Sequence, residues 1–334
     1  MIPPRGRRMK GMAEEGPARP GLISVVIPSY NGRRYLEGCL SSLSVQSFDD
    51  FETIVVDNGS EDGTAEYVAA EFPEVRVVRS EENLGFAAGV NAGIRRARGE
   101  EILTLNNDTV ADEDFIKSLA EAMARDDRVG MCASKMLFLD GRINSAGICL
   151  SRSGAAWDRG MGEEDRGQYD ALEEVFGPSA GAALYRRKML EEIGLFDEDF
   201  FMYMEDVDLA LRGRLAGWRC LYVPGAVVRH VHGGTAGFGS DLSVYYGNRN
   251  VLWYPVKDLP ARLLIPSLPW IVGRSLAVIP YYALRGRGWT ALRAKVDGLA
   301  GVPRMLRKRK TVVRRLPAGE IRKHIRTWSE IREP

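Results

Sequence analysis

Across residues 22–105, short runs of β-branched and apolar residues alternate with stretches whose apolar positions recur at helical spacing, and no other feature narrows the possible folds as far. That layout predicts βαβ units on a mostly parallel sheet. Residues 22–27 read as a first strand broken at Pro28, followed by a helix over 34–45 that aligns Tyr35, Leu36, Leu40 and Leu43. Strands at 51–56, 75–78 and 101–105 then enclose helices at 64–72 and 86–97, the latter built of small residues able to pack closely on a sheet.

Further along, an amphipathic helix over 112–126 turns Phe115, Leu119 and Met123 inward, and a strand over 129–136 leads to a hairpin turning at Asp140-Gly141. Residues 151–170 are polar, glycine-rich and aperiodic, which predicts a long loop, either an acceptor-side lid or a featureless insertion. A small-residue strand over 176–185, a helix over 187–193, a helix over 206–216, a strand over 219–223 and an extended stretch over 226–232 complete this part.

Acidic residues stand where these strands stop, and the carboxyl edge of an open α/β sheet is where ligands bind. Asp57-Asn58-Gly59-Ser60 follows the second strand and Asn106-Asn107-Asp108 the fourth, while Glu205-Asp206 comes after the aromatic run Phe200-Phe201-Met202-Tyr203. Together they suggest a site for a metal and a diphosphate. Asp57 suits recognition of a base or ribose, although a turn capped by Ser60 or Asp62 is an equally ordinary use of these residues. The run from Asn83 and Gly85 through Asn91 to Gly93 offers glycines that let something approach closely, or simply pack a helix. Asp108 is the strongest metal candidate, because few carboxylates plus substrate phosphates are the usual way of holding Mg²⁺ or Mn²⁺. Asn106 and Asn107 can orient it or touch ribose. Glu205 and Asp206 either answer the dipole of the helix they begin or, walled by aromatics, have their pKa raised into the range of a general base. His230 and His232, before Gly233-Gly234, are structural or metal-ligating.

The 334 residues carry 46 Lys and Arg against 45 Asp and Glu, and that balance hides an asymmetry. From residue 241 onward 19 basic residues face 6 acidic ones, whereas before it 27 face 39. Cys39, Cys132, Cys149 and Cys220 form no CxxC pair, which argues against a zinc site or a disulfide framework. Residues 1–20 lack the apolar core of a signal peptide and read as a disordered cytoplasmic lead.

Taken in order, Val25-Val26-Ile27-Pro28-Ser29-Tyr30-Asn31, Val56-Asp57-Asn58-Gly59-Ser60, Glu82-Asn83-Leu84-Gly85-Phe86, Asn106-Asn107-Asp108 and Met204-Glu205-Asp206-Val207-Asp208-Leu209 resemble the motifs of family 2 glycosyltransferases, particularly the bacterial rhamnosyltransferase-like branch. The resemblance spans about residues 23–235. It implies a GT-A fold, a Rossmann-like mixed sheet flanked by helices, and an inverting transfer from a nucleotide-diphosphate sugar to a glycan or lipid-linked glycan. Asn106-Asn107-Asp108 stands where the family has Asp-x-Asp, with only the last acid kept, so contact at the first position passes through an amide. The resemblance further implies that Pro28, Ser29, Tyr30 and Asp57 hold the nucleotide, with Asn58, Asn83, Gly85, Asn91, Asn106 and Asn107 as further donor contacts. Asp108 and His230 become the metal ligands, Asp206 the base and Glu205 its catalytic neighbour. A sugar-nucleotide nucleotidyltransferase would want an early glycine-rich loop with a catalytic Arg or Lys, which Ser29-Tyr30-Asn31-Gly32 does not supply. An inactive membrane-docking module that binds nucleotide sugars is the other alternative.

The expected organisation is a lead over 1–20, a catalytic domain over 21–240 and a basic, amphipathic helical region over 241–334. Residues 263–284 are apolar but interrupted by Pro266, Pro269, Pro280 and Arg274, which predicts interfacial helices rather than a simple span. With the basic cluster over 304–315 and the aromatic segment over 245–254, these helices suit an anionic membrane surface on the cytoplasmic face of the plasma membrane. No nucleic-acid-binding motif accompanies the charge.

Overall fold

The computed structural model describes residues 18–230 and 239–326; most of the lead over 1–20, and His232 with Gly233-Gly234, lie outside the described residues. The first half runs β1 (Arg19–Ser29), α1 (Arg33–Leu43), β2 (Phe51–Asn58), α2 (Thr64–Glu71), β3 (Arg76–Ser80), α3 (Gly85–Ile94), β4 (Gly99–Leu105), β5 (Thr109–Ala111) and α4 (Phe115–Met123). Then come β6 (Val129–Phe138), β7 (Ile143–Ser145), β8 (Ile148–Ser151), β9 (Ala156–Asp158), β10 (Glu173–Glu174), β11 (Ala182–Arg186), α5 (Arg187–Ile193), α6 (Glu205–Ala216) and β12 (Arg219–His230). The chain continues through α7 (Asp241–Asp258), α8 (Ala261–Ala283), α9 (Gly288–Lys308), α10 (Ala318–Arg322) and β13 (Ile325–Arg326).

The main sheet has the order β10-β12-β6-β11-β4-β1-β2-β3, with β5 added to β12 and β7 to β6. β4, β1, β2 and β3 are mutually parallel, as βαβ crossovers require. β11 enters antiparallel to both β4 and β6, so the sheet is mixed rather than mostly parallel. Alternate residues of the central strands serve two cores: Ile23, Val25 and Ile27 pack with α1 and α4 on one face, and Val26, Ile54 and Val56 with α3 and α6 on the other. The small residues of α3 allow its close approach, since a Cβ at Gly93 would collide with Val26 Cγ1.

Several boundaries differ from the sequence reading for identifiable reasons. β1 starts at Arg19, which pairs with Gly99, so the end of the expected lead belongs to the sheet. Pro28 stays inside β1 because pairing with β4 has ended at Val26, and its missing N–H falls on an unpaired side. The stretch over 151–170 is not all loop, since β8 and β9 form an antiparallel hairpin there, joined by β13. Pro224-Gly225 does not separate two strands, because a register shift between Val223 and Val227 absorbs it within β12. Residues 176–181 are not strand, and β11 starts only at Ala182.

α8 continues through Pro266, Pro269 and Pro280 as one helix of 23 residues with only Ser267 and Ile271 buried. Among the described residues it alone is long and apolar enough to cross a membrane, by length and composition. α7 packs on both α9 and α6. Lys257 of α7 reaches Asp208 of α6 at 2.5 Å and Asp197 at 2.7 Å, and Lys308 of α9 also pairs with Asp197, so the late helices are joined to the sheet body by buried charge.

Candidate active site

The parallel strands deliver their carboxyl ends to one edge, where Ser29 of β1 sits beside Asp57 of β2. The loops after these strands interlock: Asn31 N donates to Ser60 Oγ (2.9 Å), Glu61 N to Asn31 Oδ1 (2.9 Å) and Arg33 N to Asp62 Oδ2 (3.0 Å). Asp57 Oδ1 accepts from Ser60 N at 3.0 Å, while Asp62 accepts from Thr64 N and stands over the start of α2. The Asn58 amide donates to Asn83 Oδ1 (3.2 Å) and Gly85 O (3.0 Å) and accepts from Leu84 N (3.1 Å), which ties the turns after β2 and β3 together. Gly85 has φ +81°, and a Cβ there would fall 2.5 Å from Phe201, so the entry to α3 touches the segment leading to Glu205 and Asp206. Asn107 Nδ2 donates to Ser29 Oγ at 2.9 Å, Pro28 underlies Gly89 of α3, and Tyr30 is exposed on the rim. Asn91, expected among the donor contacts, instead clasps the backbone of Phe196 with both ends of its buried amide and also reaches Glu198.

A second group forms where β12 ends. His230 stands opposite Thr109 of β5, and this register brings its ring to Asp108. Nδ1 lies 2.8 Å from Asn144 Oδ1, an acceptor that suits an N–H on Nδ1 and turns Nε2 toward Asp108. Nε2 is 3.3 Å from Asn106 Nδ2 and 3.1 Å from Asp108 Oδ1. An imidazole nitrogen and a carboxylate oxygen that face each other at that separation are a donor set that fits a divalent metal. Among the described residues no cluster of three or more His, Cys, Asp or Glu is gathered.

The third group is carboxylates. Asn106 N donates to Gly181 O at 2.8 Å beside the start of β11, and Ala180 N donates to Asp206 Oδ2 at 3.4 Å, which sets the first turn of α6 against the same edge. Asp206 Oδ1 also accepts from Val207 N at 2.8 Å. Burial raises the carboxyls of both Asp206 and Glu205 above the ordinary range. The amide donors pull Asp206 back, whereas Glu205 lies beside the Asp206 charge with a buried Oε2 that has no hydrogen-bond partner among the described residues. Asp206 is therefore the one of the pair that ionises first.

Asp158, at the end of β9, was not singled out by the sequence because it sits in an aperiodic stretch. Burial pushes its carboxyl up to about 7, the Ser145 hydroxyl pulls it back, and the neighbouring Asp206 adds to the rise. Its Oδ1 is buried without a partner among the described residues. The only sequence signal was Ala156-Trp157-Asp158, an alternation too short to read as a strand.

The family profile described as glycosyl transferase family 2 matches residues 24–194. An N-acetylglucosaminyl-diphospho-decaprenol L-rhamnosyltransferase of Mycobacterium tuberculosis is 30% identical over 306 residues, covering 84% of this chain and 98% of its own length. A poly-beta-1,6-N-acetyl-D-glucosamine synthase of Staphylococcus aureus is 26% identical over 60% of this chain and 48% of its own length. Among solved structures, the mannosyltransferase PcManGT from Pyrobaculum calidifontis, in complex with GDP-Man and Mn²⁺, superposes with a TM-score of 0.52 at 18% identity, covering 92% of this chain and 88% of that one. GalNAc-T7 with UDP, GalNAc and Mn²⁺ gives a TM-score of 0.55 at 17% identity, covering 72% of this chain and 50% of that one. The sheet of mixed order with helices on both faces is thus the GT-A fold, and the chain belongs to glycosyltransferase family 2.

Proposed function

We propose that this glycosyltransferase moves a sugar, with L-rhamnose the first choice, from a nucleotide-diphosphate donor to a hydroxyl of a lipid-linked glycan, with inversion at the anomeric carbon. The observation that carries this reading is Asp206, the more readily ionised acid of a buried pair, held at the sheet edge by Ala180 N and Val207 N. The near full-length similarity to a rhamnosyltransferase supports the choice of sugar and acceptor.

In this reading the nucleotide lies along the turns after β1, β2 and β3, against Pro28, Ser29, Tyr30, Asp57 and Gly85, with Asn58 and Asn83 holding those turns in shape. Asn107 keeps Ser29 in place. Asp206 removes the proton of the acceptor hydroxyl while its oxygen bonds to the anomeric carbon, and the bond from that carbon to the diphosphate oxygen breaks on the opposite face. Burial and the neighbouring Asp206 charge raise the Glu205 carboxyl, which leaves Asp206 as the acting base in this reading. Asp108 and His230 would hold Mg²⁺ or Mn²⁺, which when bound supplies positive charge to the departing diphosphate. A single displacement needs no carboxylate nucleophile.

In this reading the enzyme works in the cytoplasm and lies on an anionic membrane, which the exposed faces of two late helices support. α8 and α9 leave Ile265, Val272, Leu276, Trp289, Val296 and Leu299 exposed, with Arg285 and Arg287 at the turn between the two helices.

The test is a donor panel of nucleotide sugars with Mg²⁺ or Mn²⁺ and an N-acetylglucosaminyl-diphospho-polyprenol acceptor, comparing wild type with Asp108→Ala and Asp206→Asn. One donor should be consumed, Asp206→Asn should bind it yet turn over about 10²–10⁴-fold more slowly, and Asp108→Ala should lose metal-dependent turnover. Variants equal to wild type, or a wild type that binds no donor, would sink the proposal.

A further inference from the structure

The segment between the short 3₁₀ turn at Glu198–Phe200 and α6 has an unusual backbone. Phe201 (φ +66°), Tyr203 (φ +64°) and Met204 (φ +68°) are all left-handed without being glycine. Phe201, with ψ −63° and a Met202 N–H donating to Phe200 O at 2.8 Å, is the rarer and strained form of the γ-turn. Residues held this way persist only where the surroundings over-determine them.

Here the surroundings are two neighbouring side chains of α7. The two N–H groups of the fully buried Asn250 amide are shared among three carbonyls around Nδ2, Phe200 O (3.0 Å), Met202 O (2.9 Å) and Tyr203 O (2.7 Å). The Arg249 guanidinium donates to Asp199 O (2.9 Å) and Phe200 O (2.8 Å), with its Cζ 4.1 Å from the centre of the Trp253 ring. On the other side Phe201 O accepts from Ala87 N at 3.1 Å, so the same segment joins α3, beside the nucleotide turns, to the first turn of α6. Nothing in the segment's own sequence favours this backbone, and α7 lies beyond the residues the family profile matches.

We propose that Arg249 and Asn250 are positioning residues for the catalytic acid: they hold residues 199–204 in the strained path that fixes the direction of Asp206 relative to the donor. The proposal rests on the reading of Asp206 as the base. Residues expected from composition to meet lipid headgroups face inward here and set catalytic geometry.

Asn250→Asp keeps the shape and removes the donors; Arg249→Met keeps most of the stem and removes the guanidinium, should the first variant fail to fold. In the full chain, with the nucleotide sugar that wild type consumes as probe, donor affinity should stay within about threefold while kcat falls about 100-fold, as expected for a reacting group misplaced by about 1 Å. Amide hydrogens of residues 201–207 should exchange faster than in wild type while those of α9 do not. A variant with lowered thermal stability but unchanged kcat has lost packing only, and overturns the proposal. So does unchanged exchange over 201–207. Should wild type consume no donor, the catalytic reading fails separately, and the exchange measurement alone decides whether the two side chains hold the segment.

Discussion

Replacing Lys257 by Met tests how firmly the late helices are joined to the sheet body. The substitution keeps an unbranched stem and deletes one cation from between two buried carboxylates, Asp208 at 2.5 Å and Asp197 at 2.7 Å. Removing one partner of a buried ion pair costs about 3–5 kcal/mol, because a charge is left without compensation. Arg212 still bonds Asp208 through Nε (2.9 Å) and a second nitrogen (2.8 Å), and Lys308 still pairs with Asp197, so the lower end, about 3 kcal/mol, is expected. For a chain of 334 residues that lowers Tm by roughly 4 °C. Burial alone would raise the Asp197 carboxyl, but the Lys257 and Lys308 ammonium groups hold it well below the usual carboxylate range. A depressed pKa stabilises the fold above the unfolded-state value near about 4 and loses that contribution as pH falls through the folded value. Lys257→Met should therefore flatten the acid limb of the stability curve as well as lower its plateau. The assay is thermal and urea unfolding between about pH 3 and 8 of wild type, Lys257→Met, Asp208→Asn and the double variant, with a coupling energy above about 1 kcal/mol expected for the contacting pair. A loss under about 1 kcal/mol, or strictly additive single effects, would refute the reasoning.

Gly85→Ala should destabilise by more than about 1 kcal/mol and weaken donor binding, because φ is +81° and the new Cβ meets Phe201 at 2.5 Å; calorimetric titration of the donor checks it. Burial holds the Lys295 ammonium down to about 7 with Asn248 O as its bonded partner, so ionising it costs stability at every pH below its unfolded pKa near about 10. Lys295→Met should then melt higher than wild type near about pH 6, with the gain shrinking as pH rises toward about 10. Co-sedimentation with vesicles should be stronger for acidic than for neutral lipid, and Leu276→Glu with Trp289→Glu should abolish it; equal binding by the double variant would show that another face meets the bilayer.

The βαβ half of the fold was legible because a parallel strand buried on both faces has a composition of its own, and because β1, β2 and β4 each stop at a polar turn. The acids at those stops, Asp57 and Asp108, could be named from one segment each. What could not be read depends on partners remote in sequence. Asp158 is oriented by a hairpin whose third strand comes from residues 325–326, and the ring of His230 is held by Asn144, 86 residues away. Arg249 and Asn250 sit in an aromatic, basic stretch that composition assigns to a lipid surface, and only tertiary packing shows them bonded to backbone carbonyls. The excess positive charge of the late region is likewise partly met within the molecule, by Asp197, Asp199 and Asp208.

The pairing of Ile325 with Leu150 and of Arg326 with Ser151 also bears on how the molecule is made. A two-stranded hairpin is marginal by itself, and β8–β9 acquires its third strand from a point about 175 residues later in the chain. During synthesis the parallel strands and the turns after them can take shape early, whereas the hairpin bearing Asp158 gains its third strand only once residues 325–326 have emerged. A nascent or prematurely terminated chain would then carry the parallel βαβ half without a completed β8–β9 sheet, so the order of translation itself delays assembly of the surroundings of Asp158.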